Sequence, residues 1–213
     1  MRGPPNFDRL ARLYLWMEMF TFGPWLQRCR CAMLGDITAC RHAIAFGDGD
    51  GRFTAELLRV NSALQIDAVD ASAAMLRELL RRAGTNAARV QTHRTDARVW
   101  QPANPAYDLV VSHFFLDCLH EDEIRTLSGK VRGALSSSGF WVVSEFAIPE
   151  GAFGRCVAGP IVWLLYRAFA LLTGLAIRSL PHHAALLRRA GFTLRKRRCF
   201  LRGLLVAELW SAF

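Results

Sequence analysis

The chain reads as a doubly wound α/β domain: a mostly parallel seven-stranded sheet with helices on both faces and an antiparallel hairpin at its C-terminal edge. Three observations predict this. Short apolar runs alternate with amphipathic stretches, the pattern of parallel strands joined by crossover helices. A glycine-rich loop, Gly47-Asp48-Gly49-Asp50-Gly51, directly follows the first of those runs. The last two runs are separated only by a turn at Gly203, which suits an antiparallel pair.

The elements follow in order. Phe7, Leu10, Leu13, Tyr14 and Met17 recur at helical spacing and predict an amphipathic leading helix ending near Gly23-Pro24, with a short second helix from Leu26 to Met33. Ala43 to Phe46 is the first strand, and the stretch holding Leu57 and Leu58 is helical. Leu64 to Val69 is the second strand, ending in Asp70. Ser72 is placed to cap a helix running to Arg82. Strands are predicted at Arg89–His93, Asp108–Phe115 and Gly139–Phe146, with a helix over Glu121–Leu135. Gly159-Pro160 opens an apolar helix to Ile177, and Ala184–Ala190 is a further helix. Phe192–Cys199 and Leu204–Trp210 are the closing strands. There is no internal repeat and no long linker.

At 213 residues and 23.9 kDa this is one domain, with residues 1–40 as a helical cap and 155–180 as an apolar helical insertion. A hydrophobic fraction of 52% excludes a disordered chain. The formal charge is +9, and lysine occurs only at 130 and 196, so 25 of the 27 cations are arginine. Arginine suits anion contact, although coding bias gives the same composition. The six cysteines form no CxxC pair and no zinc-type cluster, so reduced thiols and no metal are expected. Glu18 interrupts the early apolar run and no small-residue cleavage site follows it, so a cytoplasmic enzyme is expected.

Glycines at alternate positions after a strand let backbone approach a ligand closely, and the helix that starts near Gly51 turns its unpaired N–H groups towards it. Asp70, nineteen residues past Gly51, can accept ribose hydroxyls. The spacing G-x-G-x-G departs from the dinucleotide pattern G-x-G-x-x-G, and carboxylates at 48 and 50 would repel a pyrophosphate. They suit a ligand carrying an ammonium and a sulfonium.

On these residues the chain resembles the class I S-adenosylmethionine-dependent methyltransferases, over roughly residues 40–213. The resemblance implies a Rossmann-like fold, S-adenosyl-L-methionine as cofactor and methyl transfer as activity. It matches the glycine motif to Gly47, Asp48, Gly49 and Gly51, and the ribose acid to Asp70, with Ala71 and Met75 beside the adenine. It places Asp96 and Ala97 at the adenine amino group, and Ser112 and His113 at the end of the fourth strand, Ser112 beside the cofactor and His113 on the substrate side. Family members often carry an acid where this chain has Ala45, and Asp48 is the nearby acid that can substitute.

Methyl transfer is an in-line displacement, so the protein chiefly positions donor and nucleophile. His113 is the candidate general base, with Asp117 placed to orient it or line the pocket. Tyr14 is placed to close over the cofactor with its hydroxyl, whereas Trp16 reads as core. His182-His183 read as polar residues at a helix start on the surface. The helix from Gly159 to Ile177 approaches the length of a membrane span, but Arg167 at its centre argues instead for a lid over an apolar pocket. Arg195-Lys196-Arg197-Arg198 reads as a solvated strand edge.

The expected partner is therefore a small, apolar substrate, methylated at oxygen or carbon, and no nucleic acid. Peripheral contact with a membrane is a second expectation. It is the setting of quinone-pathway C-methyltransferases, whose short motifs around Ser144–Pro149 and Ala190-Gly191-Phe192 have a similar layout. A non-catalytic cofactor-binding protein and a nicotinamide-dependent oxidoreductase are the rival readings.

Overall fold

The computed structural model describes residues 22–102, 107–173 and 180–212, with backbone alone for 168–173. The strands are β1 (His42–Phe46), β2 (Gln65–Asp70), β3 (Val90–Arg94), β4 (Tyr107–His113), β5 (Leu135–Phe146), β6 (Thr193–Phe200) and β7 (Leu205–Ser211). The helices are α1 (Pro24–Arg30), α2 (Arg52–Val60), α3 (Ala73–Ala83), α4 (Glu121–Ala134), α5 (Gly159–Thr173) and α6 (His183–Arg189). The sheet order is β3-β2-β1-β4-β5-β7-β6. The first five strands pair in parallel, and β7 is antiparallel to both β5 and β6.

β1 is central and buried on both faces from Ala43 to Phe46. Alternate residues of the sheet feed two cores, as the pleat requires. Leu109, Val111 and Val142 pack with Cys29, Phe53 and Leu57 of α1 and α2. Ile44, Val110, Trp141 and Trp210 pack with Ile124, Leu127 and Leu187 of α4 and α6. β6 is the edge, but its cations are not simply solvated: Arg195 donates to Ser211 Oγ at 2.7 Å, Lys196 pairs with Asp36 at 2.8 Å and Arg197 with the buried Glu208 at 3.3 Å.

Ser72 caps α3, its Oγ accepting from Met75 N at 3.2 Å. The hairpin turn carries Leu201, Arg202 and Gly203 at positive φ. Three boundaries differ from expectation. α1 stops at Arg30 and tightens into a 3-10 turn over Cys31–Asp36. The ladder of β5 begins at Leu135 opposite Tyr107, bulges out, and resumes at Phe140 opposite Leu109. A π-helical turn, Gly154–Ala158, leads into α5. Of the expected cap and insertion, residues 1–21, with Tyr14 and Trp16, and residues 174–179 lie outside the described residues.

Candidate active site

The strand order reverses direction between β1 and β4, which opens a crevice at their carboxyl ends. Phe46 and Ser112 stand opposite each other in register there, so the 47–51 loop lies beside the end of β4. Gly47 N donates to Val69 O at 3.0 Å and holds the loop against β2. Gly47, Gly49 and Gly51 all have positive φ. The three differ in their surroundings: a Cβ on Gly51 would lie 2.7 Å from Leu79 Cα, whereas one on Gly49 would meet nothing within 4 Å. Gly51 is therefore a packing glycine, and Gly49 presents bare backbone to open space.

The two loop acids have different fates. Asp50 is buried and paired with Arg52 (3.0 Å) and Arg82 (2.7 Å), which corrects its reading as a charge facing the ligand. Asp48 Oδ2 accepts from Thr54 N in the first turn of α2 at 2.9 Å. Its Oδ1 is buried with no partner among the described residues. Burial pushes the Asp48 carboxyl up to about 6, against the pull of Arg30. Because that value lies above the unfolded one, the neutral acid supports the fold below about pH 4, and this support is lost as pH rises through 6. Asp48→Asn should therefore gain stability relative to wild type between pH 4 and pH 8, measured by denaturant titration without ligand.

Asp70 closes β2, its Oδ1 accepting from Ser72 N at 2.7 Å. Ala71 is exposed beside it, and Met75 is half-buried on α3. Thr95 N donates to Asp70 O at 3.1 Å, which brings Asp96 to the same rim. Asp96 is gripped through both oxygens by Arg98, which also reaches Glu123 at 2.9 Å. Ala97 is buried under the turn.

Ser112 is fully buried, and its Oγ accepts from Trp141 Nε1 at 3.0 Å, so it fixes the strand end. His113 is buried too, with Nδ1 2.9 Å from Ser144 Oγ and its ring 4.2 Å from that of Phe53. Burial holds its proton affinity well below the ordinary histidine range, with Arg30 adding to the effect. Asp117 does not orient His113. Its Oδ2 accepts from Tyr166 Oη of α5 at 3.0 Å and its Oδ1 from Cys118 Sγ at 3.4 Å.

Beside Asp117 stands an acid that sequence reading left inside a strand. Glu145, near the end of β5, is 1% exposed. Its Oε1 accepts from Phe115 N (3.2 Å) and Leu116 N (2.8 Å), while Oε2 is buried with no partner among the described residues. Burial, then the neighbouring Asp117, pushes the Glu145 carboxyl well above the ordinary range. Only the parallel pairing of β4 with β5 and the packing of the insert bring these side chains together, and no local spacing announces it. His183 was expected at the surface but is buried, 3.2 Å from Glu208. Among the described residues no group of three or more metal-ligating side chains forms a site.

Residues 43–139 match the family model described as a methyltransferase domain. That match spans 97 of the chain's 213 residues, from β1 into β5, and takes in the glycine loop, Asp70 and the end of β4. The fold is similar to that of mitomycin 7-O-methyltransferase at 18% identity, with a TM-score of 0.72 over 97% of this chain and 60% of that one. An O-methyltransferase-like protein of Nostoc punctiforme gives 19% identity and 0.72 over 97% and 61%. An S-adenosylhomocysteine-bound methyltransferase of calicheamicin biosynthesis gives 17% and 0.68 over 97% and 60%. The chain thus spans about three fifths of the length of these proteins. No curated protein sequence matches it.

The residues present fit the cofactor of the class. Gly49 leaves room for close backbone approach, Asp70 ends β2 at the crevice, and Asp48 keeps a buried oxygen without a partner among the described residues.

Proposed function

We propose that the domain is an S-adenosylmethionine-dependent methyltransferase that methylates a small, apolar molecule at oxygen. The observation that carries this reading is the convergence of the open Gly49 backbone, Asp70 and the β4 end at the switch point of the sheet. When bound, the cofactor supplies a methyl group on a positively charged sulfur. Asp70 accepts the ribose hydroxyls, and Ala71, Met75, Asp96 and Ala97 line the adenine side. Asp48 takes the place of the acid missing at Ala45 and accepts the methionine ammonium through Oδ1. Ser112 and His113 hold the end of β4 rigid behind the reacting atoms, so that donor and acceptor meet in line.

The Asp48 assignment has a direct test. S-adenosylhomocysteine and 5′-methylthioadenosine share adenosine and a thioether, but only the first carries the amino acid. Asp48→Asn should weaken the first about tenfold or more, the scale of one charge-assisted hydrogen bond, and leave the second unchanged. Equal loss for both ligands would remove Asp48 from the ammonium. For the activity itself, a panel of hydroxylated aromatic compounds incubated with S-adenosylmethionine should yield methyl ethers by mass spectrometry. A panel that yields none, from protein that binds S-adenosylhomocysteine, would favour the non-catalytic reading.

A second reading, peripheral contact with an anionic membrane, is favoured by the insert. No helix among the described residues is long and apolar enough to cross a membrane. Yet Trp163 and Leu164 are 60% and 63% exposed on α5, with Ile148 and Val157 also exposed and Arg167 lying over the Trp163 ring at 5.4 Å. Aromatic and aliphatic side chains beside cations suit an interface carrying negative charge. Pelleting with phosphatidylserine vesicles should exceed pelleting with phosphatidylcholine vesicles, fall with salt, and drop in a Trp163→Ser/Leu164→Ser variant. Equal pelleting with both lipids would end this reading.

A further inference from the structure

His113 is buried against Phe53 and Ser144, its Nε2 without a partner among the described residues and its proton affinity lowered by burial. A second proton acceptor, one that burial makes more basic, stands at the same end of the sheet. Glu145 and Asp117 meet there from β5 and from the turn after β4. Glu145 Oε1 is fixed by two backbone N–H groups, and its Oε2 is left buried without a partner among the described residues. Tyr166 reaches in from the insert and donates to Asp117. We propose that Glu145, paired with Asp117, is the general base that takes the proton of a phenolic hydroxyl bound beneath α5. The proposal rests on the methyltransferase reading and names its substrate class.

Burial, then the charge of Asp117, raises the Glu145 carboxyl well above the ordinary carboxylate range, so its ionised form is a stronger proton acceptor than a solvated carboxylate. A base held in that range is matched to a weakly acidic hydroxyl. Aromatic side chains crowd the same strand ends: Phe115 is stacked on Phe46 at 6.1 Å, and Phe114 lies 5.1 Å from Phe146. A ring-bearing hydroxyl suits them better than an aliphatic one. The groups facing the pair are Cys118 on its own turn, Tyr166 on α5, His183 on α6 and Cys29 on α1. In the step, the phenol O–H bond gives its proton to Glu145 Oε2. The oxygen pair forms the O–CH₃ bond while the methyl–sulfur bond of the donor breaks, and sulfur keeps that bond's electrons as a neutral thioether.

The test begins with S-adenosylhomocysteine calorimetry on the wild type, and absence of binding there overturns the methyltransferase reading and this proposal together. With binding established, 1-naphthol, catechol and anthraquinone phenols are assayed against S-adenosylmethionine between pH 5 and pH 9. The expected result is turnover that falls on the acid side. Glu145→Gln should lower kcat about 100-fold or more with S-adenosylhomocysteine affinity and KM little changed. Asp117→Asn removes the charge that raises Glu145, and should move the acid limb to lower pH, which a merely structural role would not do. Infrared spectra at pH 7 supply a readout apart from activity: the carbonyl stretch of a protonated carboxyl should be present in wild type and altered in Glu145→Gln. A phenol that wild type turns over and Glu145→Gln turns over with unchanged kcat overturns the proposal alone. So does an acid limb that stays in place in Asp117→Asn.

Discussion

Asp70→Ala should abolish most of the affinity for S-adenosylhomocysteine, on the order of 100-fold or more. A carboxylate accepting two hydroxyl protons makes charge-assisted hydrogen bonds worth about 1.5–3 kcal/mol each, and the methyl of alanine replaces none of them. Asp70 also accepts from Ser72 N at 2.7 Å, so part of any loss could come from a loosened start of α3. Asp108→Ala separates the two effects. Asp108 accepts from Arg41 N at 2.7 Å and His42 N at 2.9 Å, at the opposite end of the sheet. That variant should lose stability with S-adenosylhomocysteine affinity retained, and Asp70→Ala should do the reverse. Calorimetry and thermal denaturation on both variants check this, and an Asp70→Ala protein binding like wild type would remove Asp70 from the site.

The glycine loop gives the second large effect, through a contrast between two residues in similar conformations. Gly49 and Gly51 have φ of 58° and 77°, so alanine at either bears the left-handed cost of about 1–2 kcal/mol. At Gly51 the new Cβ would also lie 2.7 Å from Leu79 Cα and 2.8 Å from Leu79 Cβ. Backbone cannot give way as a side-chain tip can, and the overlap adds about 1–3 kcal/mol. Gly51→Ala should therefore lower the melting temperature by roughly 5–15 °C, at about 2–4 °C per kcal/mol for a chain this size. Gly49→Ala should cost a few degrees only, yet weaken S-adenosylhomocysteine strongly, because its Cβ enters space left for a ligand. Equal melting temperatures in the two variants would contradict the division of roles.

Much of this architecture is legible in the sequence because its signals are local. Strand and helix periods, the Ser72 cap, the glycines after β1 and Asp70 at the end of β2 each depend on neighbours a few residues away. What escapes are pairings across the chain. Asp50 looks like a ligand-facing charge until α3 brings Arg82 to it from 32 residues away. His183 looks like a surface residue until β7 supplies Glu208. His113 stands at the end of β4, as the apolar run from Asp108 to Phe115 predicts, but its wall of Phe53 and Ser144 comes from two other elements. Glu145 lies in a run whose apolar neighbours mark only a buried strand, and its meeting with Asp117 and Tyr166 exists only once β4, β5 and α5 are folded together.

Calorimetric titration of the purified protein with S-adenosylhomocysteine, with NADH as the control ligand, tests the cofactor assignment most directly. One-to-one micromolar binding of S-adenosylhomocysteine and no heat with NADH is the expected result. Binding of NADH, or of neither ligand, would contradict it.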